Sequence, residues 1–168
     1  MEYTHVFHTF GPVFDACAEV LILGSFPSVK SREEGFYYGH PRNRFWKVLA
    51  GLFGEALPGT IPEKKDFLLR NHIAVWDVIA ECEIMGSADS SIRNVRENDM
   101  NVILEQSAVN RIFANGETAY KLFLKYCRKE GQPPVKRLPS TSPANAAWSL
   151  QRLLEVWKAE IFPEGEHL

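Results

Sequence analysis

Residues 19–28 read EVLILGSFPS. The short apolar run Glu19–Leu23 is bounded by Asp15 upstream and by the Gly24–Ser28 turn downstream, which predicts a buried strand. Similar runs recur at His72–Val78 (HIAVWDV), Asn110–Ala114 (NRIFA) and Val135–Leu138 (VKRL), each followed by a turn or a polar residue. Between them lie helical stretches. Asn43–Phe53 gathers Phe45, Trp46, Val48, Leu49 and Leu52 on one face, and a shorter helix is expected near Lys64–Arg70. Asp99–Gln106, Glu117–Lys129 and Asn145 to about Ile161 follow. Strand and helix alternate, so the expected fold class is α/β, a three-layer α/β/α arrangement around a central four-stranded parallel sheet. Ligands of such sheets bind beyond the carboxyl ends of the strands. The segments of interest are therefore Gly24–Ser31, Asp77–Ser91, Asn115–Thr118 and Pro139–Asn145.

A chain of 168 residues fits one domain spanning 1–168, large enough to need no disulfide or metal staple. No stretch approaches the roughly 20 apolar residues that span a bilayer, and MEYTHVFHTFGPVFD has neither the basic start nor the apolar centre of a signal peptide. No membrane association and a cytoplasmic location are expected. Cys17, Cys82 and Cys127 form no CxxC pair, and His5, His8, His40, His72 and His167 form no HxxxH or HExxH pair, so no metal and no cofactor is expected. A net charge of −2 looks unsuited to nucleic acid, yet Lys30–Lys47 and Lys121–Arg137 are locally basic. If both reach one face, that face attracts phosphate; otherwise they are solvated helix surfaces.

The first post-strand segment, GSFPSVKSREEGFYYGHPRNRFWKVL, combines a Gly-Ser turn, a proline and an aromatic-rich loop before an amphipathic helix. The last, LPSTSPANAAW, is a hydroxyl-rich turn before a helix and suits phosphate, although each alone also fits an ordinary turn and cap. Together, GSFPS, YYGHPRNRFW and LPSTSP resemble the signatures of the hypoxanthine-DNA (deoxyinosine) glycosylase branch of the uracil-DNA glycosylase superfamily. VWDVI, GSADSSI and FANGETA occur in the expected order, so the resemblance runs from about Val20 to Leu154. HPRNRFWKV is also similar to the mismatch-specific uracil/thymine glycosylases.

The resemblance implies a monomeric, metal-free hydrolase that releases hypoxanthine, with uracil and xanthine as further candidates, from DNA and leaves an abasic site. Alternatives are a mismatch-specific uracil/thymine glycosylase, a catalytically silent lesion binder, and a small-nucleotide-binding protein unrelated to DNA. Gly24 shapes the pocket turn, and the backbone amides around Ser25 and Phe26 are candidate donors to the departing base. Phe26 stands where better-known uracil branches carry an Asp or Asn that positions water, so the resemblance passes that role to Asn43; an N-cap role for Asn43 is the alternative. Of Tyr37 and Tyr38, Tyr38 is the better candidate for stacking on a flipped base. His40 is a candidate for base or phosphate contact, or for a bond within its loop. Asp77 is a candidate either to accept from the N–H groups of a purine or to serve as a helix cap or loop anchor, and Asn115 with Gly116 either receives a phosphate or makes a tight turn. Ser140, Thr141 and Ser142 would clasp phosphates. Leu138 stands where the superfamily often has a His, and no lysine suggests Schiff-base chemistry.

Overall fold

A computed structural model describes residues 2–163; His167, named above among the isolated histidines, lies outside them. The four expected strands are present as β2 (Val20–Gly24), β3 (Ile73–Asp77), β6 (Arg111–Asn115) and β7 (Val135–Leu138). They form one parallel sheet in the order β3-β2-β6-β7. Every residue of β2 and β3 is buried, as a sheet covered on both faces requires.

Helices flank this sheet. α1 (Val29–Glu34) is followed by α2 (Phe45–Phe53) and α3 (Ile61–Arg70), then α4 (Asn101–Leu104), α5 (Glu117–Leu122) and α6 (Leu150–Ile161). α2 buries Phe45, Trp46, Val48, Leu49 and Leu52 and packs against α6, whose buried Leu153, Trp157 and Ile161 lie one turn apart. Thr60 caps α3 by accepting from the Glu63 amide, and Ser149 caps α6 in the same way through Arg152.

Several boundaries differ from expectation. α2 begins at Phe45 rather than Asn43 because Asn43 turns its side chain back onto the Phe45 amide. α6 begins at Leu150, since residues 145–148 form a turn closed by the Trp148 amide bonding to Asn145 O. α5 runs on into a π-helical turn, Phe123–Cys127, and stops short of Lys129. The loop after GSFPS contains α1, capped by Ser28.

A larger difference concerns Asp77–Ser91, the segment after the second predicted strand, for which no further strand is expected. It contains β4 (Ile79–Ile84), which pairs antiparallel with β1 (Thr4–Phe7) and with β5 (Arg93–Glu97) in a second, three-stranded sheet. ECE alternates polar and apolar residues around the buried Cys82, as a strand with one wet face does. Cys82 and Cys127 are buried free thiols and Cys17 is exposed. Among the described residues no helix is long and apolar enough to cross a membrane.

Candidate active site

The parallel strands deliver Gly24, Asp77, Asn115 and Leu138 to one sheet edge, where Gly24 is in register with Asp77 and Asn115 with Leu138. A cleft of about 1080 Å³ opens there. It is lined by all the residues singled out above: Gly24, Ser25, Phe26, Tyr38, His40, Asn43, Asp77, Asn115, Ser140, Thr141 and Ser142.

One wall is a chain of side-chain hydrogen bonds. Asn115 Nδ2 donates to Thr141 Oγ1 at 3.0 Å, the Thr141 hydroxyl donates to Asn43 Oδ1 at 2.8 Å, and the Thr141 amide returns a bond to Asn115 Oδ1 at 3.0 Å. Asn43 Oδ1 also accepts from the Phe45 amide at 2.9 Å. A backbone N–H can only donate, so Asn43 must present oxygen to Phe45, and both lone pairs of that oxygen are occupied. The Asn43 Nδ2 amine is left without a partner among the described residues. Asn43 is thus both a helix-start bond and a donor available to the cleft. Asn43 Oδ1 therefore has no lone pair free to accept from a water.

Thr141 requires a correction. It is wholly buried and its hydroxyl is spent on two side chains, so it positions Asn43 and Asn115 rather than reaching a phosphate. Ser140 and Ser142 are half-buried. Their oxygens accept from the Ser142 and Ala144 amides, which shapes the turn and leaves their own protons to donate outward. Arg44 fixes this loop from the start of α2: its guanidinium bonds the carbonyls of Ser142, Asn145 and Trp148. Gly116 lies at φ 98°, and a Cβ there would stand 3.0 Å from Ser140 Cβ, so FANGETA needs glycine at this close approach. Its amide is taken by Leu138 O, which favours the turn over a phosphate site at Gly116.

The opposite wall is the end of β2. A Cβ on Gly24 would collide with Asp77 Oδ1 and stand 3.1 Å from the Tyr38 hydroxyl, so only glycine lets these groups converge. The Val78 and Ile79 amides bind the Gly24 and Ser25 carbonyls, locking the GSFPS turn to β3 and β4. Tyr38, at φ 53°, stacks on Phe45 with centroids 3.9 Å apart, so one face of its ring is already covered. Its hydroxyl is buried with no hydrogen-bond partner among the described residues. Burial first, and the Asp77 charge second, hold that phenol well above the usual tyrosine range; Asn115 works weakly against them without completing a hydrogen bond. Tyr37 is the core tyrosine of the pair, 2% exposed, with its hydroxyl donating to Gly11 O. Phe26 lines the cleft with the Arg32 guanidinium over its ring.

His40 Nδ1 accepts from the Arg42 amide at 3.1 Å, the bond within its loop. Two residues went unrecognised in the sequence. Ser25 donates to Asp89 at the mouth, and desolvation by the cleft wall raises the Asp89 carboxyl above its ordinary range, against that hydrogen bond. His8, an isolated histidine in an unremarkable N-terminal segment, places Nε2 2.8 Å from Asp77 Oδ2. No spacing or motif marked it. The two basic stretches are largely engaged within the protein: Lys30 pairs with Glu34, Lys121 and Arg137 share Glu117, and Lys136 pairs with Glu160.

A family model described as the uracil DNA glycosylase superfamily matches residues 12–161. A protein of Methanosarcina acetivorans named hypoxanthine DNA glycosylase is 38% identical over 89% of this chain and 94% of its own length. One of the same name from Methanosarcina barkeri is 33% identical over 91% and 96%. A solution NMR structure from Methanosarcina acetivorans, whose description proposes a uracil DNA glycosylase, superposes with a TM-score of 0.79 at 36% identity, covering 94% of this chain and 97% of that one.

Proposed function

Since the chain belongs to the uracil DNA glycosylase superfamily, we propose that it excises hypoxanthine from DNA by hydrolysis, with the cleft at the end of the parallel sheet as its active site. The observation that carries this reading is the meeting, in one cleft, of the Asn43 amide NH2, which has no partner among the described residues, with Gly24, Asp77 Oδ1 and the Tyr38 hydroxyl converging at the strand ends.

Cleavage of the C1′–N9 bond leaves positive charge on the sugar and sends the electron pair to the purine. The enzyme gains rate by stabilising both charges in the transition state more than in the ground state. Backbone amides at Ser25 and Phe26 face the departing base. Asn43 Nδ2 donates to a water oxygen and leaves that oxygen's second lone pair directed at C1′. Asn43 is no base, so water adds to a sugar already close to an oxocarbenium ion, and after the C–O bond forms its extra proton passes through solvent to the departing purine anion. The products are an abasic site and free hypoxanthine. With one face of Tyr38 covered by Phe45, Phe26 is a second ring available to the base. Asp77 accepts the purine N1–H, and the outward protons of Ser140 and Ser142 serve the flanking phosphates.

The test is alkaline cleavage of labelled duplexes carrying one deoxyinosine, deoxyuridine, deoxyxanthosine or G·T mismatch, with chelator present and protein in excess. Cleavage at deoxyinosine above the others is expected. Preference for deoxyuridine opposite guanine would favour a mismatch-directed enzyme, and damage-dependent binding without cleavage would favour a silent binder.

A further inference from the structure

His8 follows β1 and lies outside residues 12–161, the region matched to the superfamily. Its side chain is 3% exposed and that of Asp77 5%. The imidazole sits among Phe10, Tyr37 and Phe26, with ring centroids at 4.6, 5.8 and 6.0 Å, and its backbone amide is anchored on Ala80 O at 2.7 Å. Burying an imidazole and a carboxylate together carries a desolvation penalty that a pair of apolar side chains filling the same box would avoid. The value of the pair therefore lies in what it does to Asp77.

Facing a carboxylate, the imidazole donates from Nε2 and Asp77 Oδ2 accepts, using one of that oxygen's lone pairs. The other oxygen, Oδ1, crowds Gly24 beside the Tyr38 hydroxyl, which is buried and partnerless. The cleft floor thus carries an acceptor next to a phenol that has no hydrogen-bond partner among the described residues. The contact with imidazole fixes the carboxyl plane, and a carboxylate oxygen held there can only accept.

We propose that His8 is a positioning residue for base selection: by tying Asp77 Oδ2 it keeps Oδ1 an acceptor, so that Oδ1 and the Tyr38 hydroxyl read the adjacent N–H and C=O of a lactam edge. Deamination is the change that creates this edge. Adenine offers a ring nitrogen acceptor beside an amino donor, and hypoxanthine offers the reverse, N1–H beside O6. Opposed to adenine, the Asp77 oxygen meets a lone pair and the undamaged base is rejected; sites that leave buried polar groups unpaired discriminate strongly. Without His8, the Asp77 carboxyl is free to turn, Oδ1 is no longer held against the lactam N–H, and the distinction is lost.

The inference rests on the excision reading above, and the test separates the two. Single-turnover rates are measured for the wild-type protein, His8→Phe and His8→Gln on duplexes carrying deoxyinosine or 2′-deoxynebularine, the purine nucleoside with neither N1–H nor O6. His8→Phe keeps an aromatic side chain but donates nothing, and it should lower the deoxyinosine-to-nebularine rate ratio about tenfold. His8→Gln restores an N–H and should return the ratio to within about threefold of wild type. An equal loss on both substrates, or an unchanged ratio in His8→Phe, overturns the role of His8 and leaves the excision reading intact. Failure of the wild-type protein to cleave deoxyinosine overturns both. If His8→Phe does not fold, the imidazole 15N resonances of His8 in the unaltered protein decide: free hypoxanthine should displace the Nε2 signal where unsubstituted purine does not, and identical responses refute the proposal.

Discussion

Replacing Thr141 by Val is nearly isosteric and removes one oxygen at the centre of the Asn115–Thr141–Asn43 chain. Asn43 Oδ1 keeps the Phe45 amide at 2.9 Å, but Asn115 Nδ2 loses its acceptor. Thr141 is wholly buried, so the orphaned donor should cost about 1–3 kcal/mol, which in a chain of this size lowers Tm by roughly 2–4 °C per kcal/mol. Asn43 then pivots on a single hydrogen bond. A displacement approaching an ångström at a water-positioning group is worth up to about 100-fold in rate, so kcat on a deoxyinosine duplex should fall about 10- to 100-fold. KM for DNA should hardly move, because the lost hydroxyl faces inward. Thr141→Ser, which keeps the oxygen, should retain most of the rate. Thermal melts and steady-state kinetics on all three proteins suffice. A raised KM with unchanged kcat would restore Thr141 to the phosphate contacts and refute the positioning role.

Four other outcomes are expected. Asn43→Ala should abolish turnover while sparing DNA binding in a gel-shift titration; near-normal rates would remove Asn43 from the chemistry. Ser142→Ala should weaken DNA binding with little change in the single-turnover rate at saturation. Gly24→Ala drives a methyl into Asp77 Oδ1 and should cost about 1–3 kcal/mol of stability as well as activity, measurable by urea unfolding; a protein of wild-type stability would show that the converging groups can part. Burial pushes the thiols of Cys82 and Cys127 up to about 11 and about 12, and holds the Tyr37 and Tyr38 phenols higher still than usual. All four keep protons in the folded protein that the unfolded chain releases, so the stability they support is complete below about pH 9. It declines as the thiols and then, above about pH 10, the phenols ionise in the unfolded chain, at about 1.4 kcal/mol per pH unit for each proton. Urea midpoints between pH 8 and 11 measure this, and a flat profile would contradict the burial of these groups.

The central sheet was legible because a strand buried on both faces must be apolar throughout, and VLIL and IAVW leave little choice. Thr4–Phe7 and Ile79–Ile84 were not legible as strands. Their sheet is wet on one side, and histidines and glutamates dilute its alternation. GSFPS and LPSTSP announced the cleft because Gly24 and Ser140 sit at strand ends, where ligands collect. What the motifs do not disclose is which hydroxyls face inward. Ser140, Thr141 and Ser142 are chemically alike in sequence, and only packing separates the buried middle one from its neighbours. His8 is 69 residues from Asp77, and nothing local in either segment foretells their meeting.

Glu117 stands between Lys121 and Arg137 at the rim of the cleft. A phosphate that docks on Arg137 must therefore evict a carboxylate the protein supplies itself, and such an exchange liberates fewer ions into solution than docking on a bare cation. At this point of the rim the hold on undamaged duplex should be looser, and its salt dependence shallower, than a bare cation would give. For a protein that has to inspect very many intact bases for each altered one, a surface that lets go readily shortens the stay at every wrong stop.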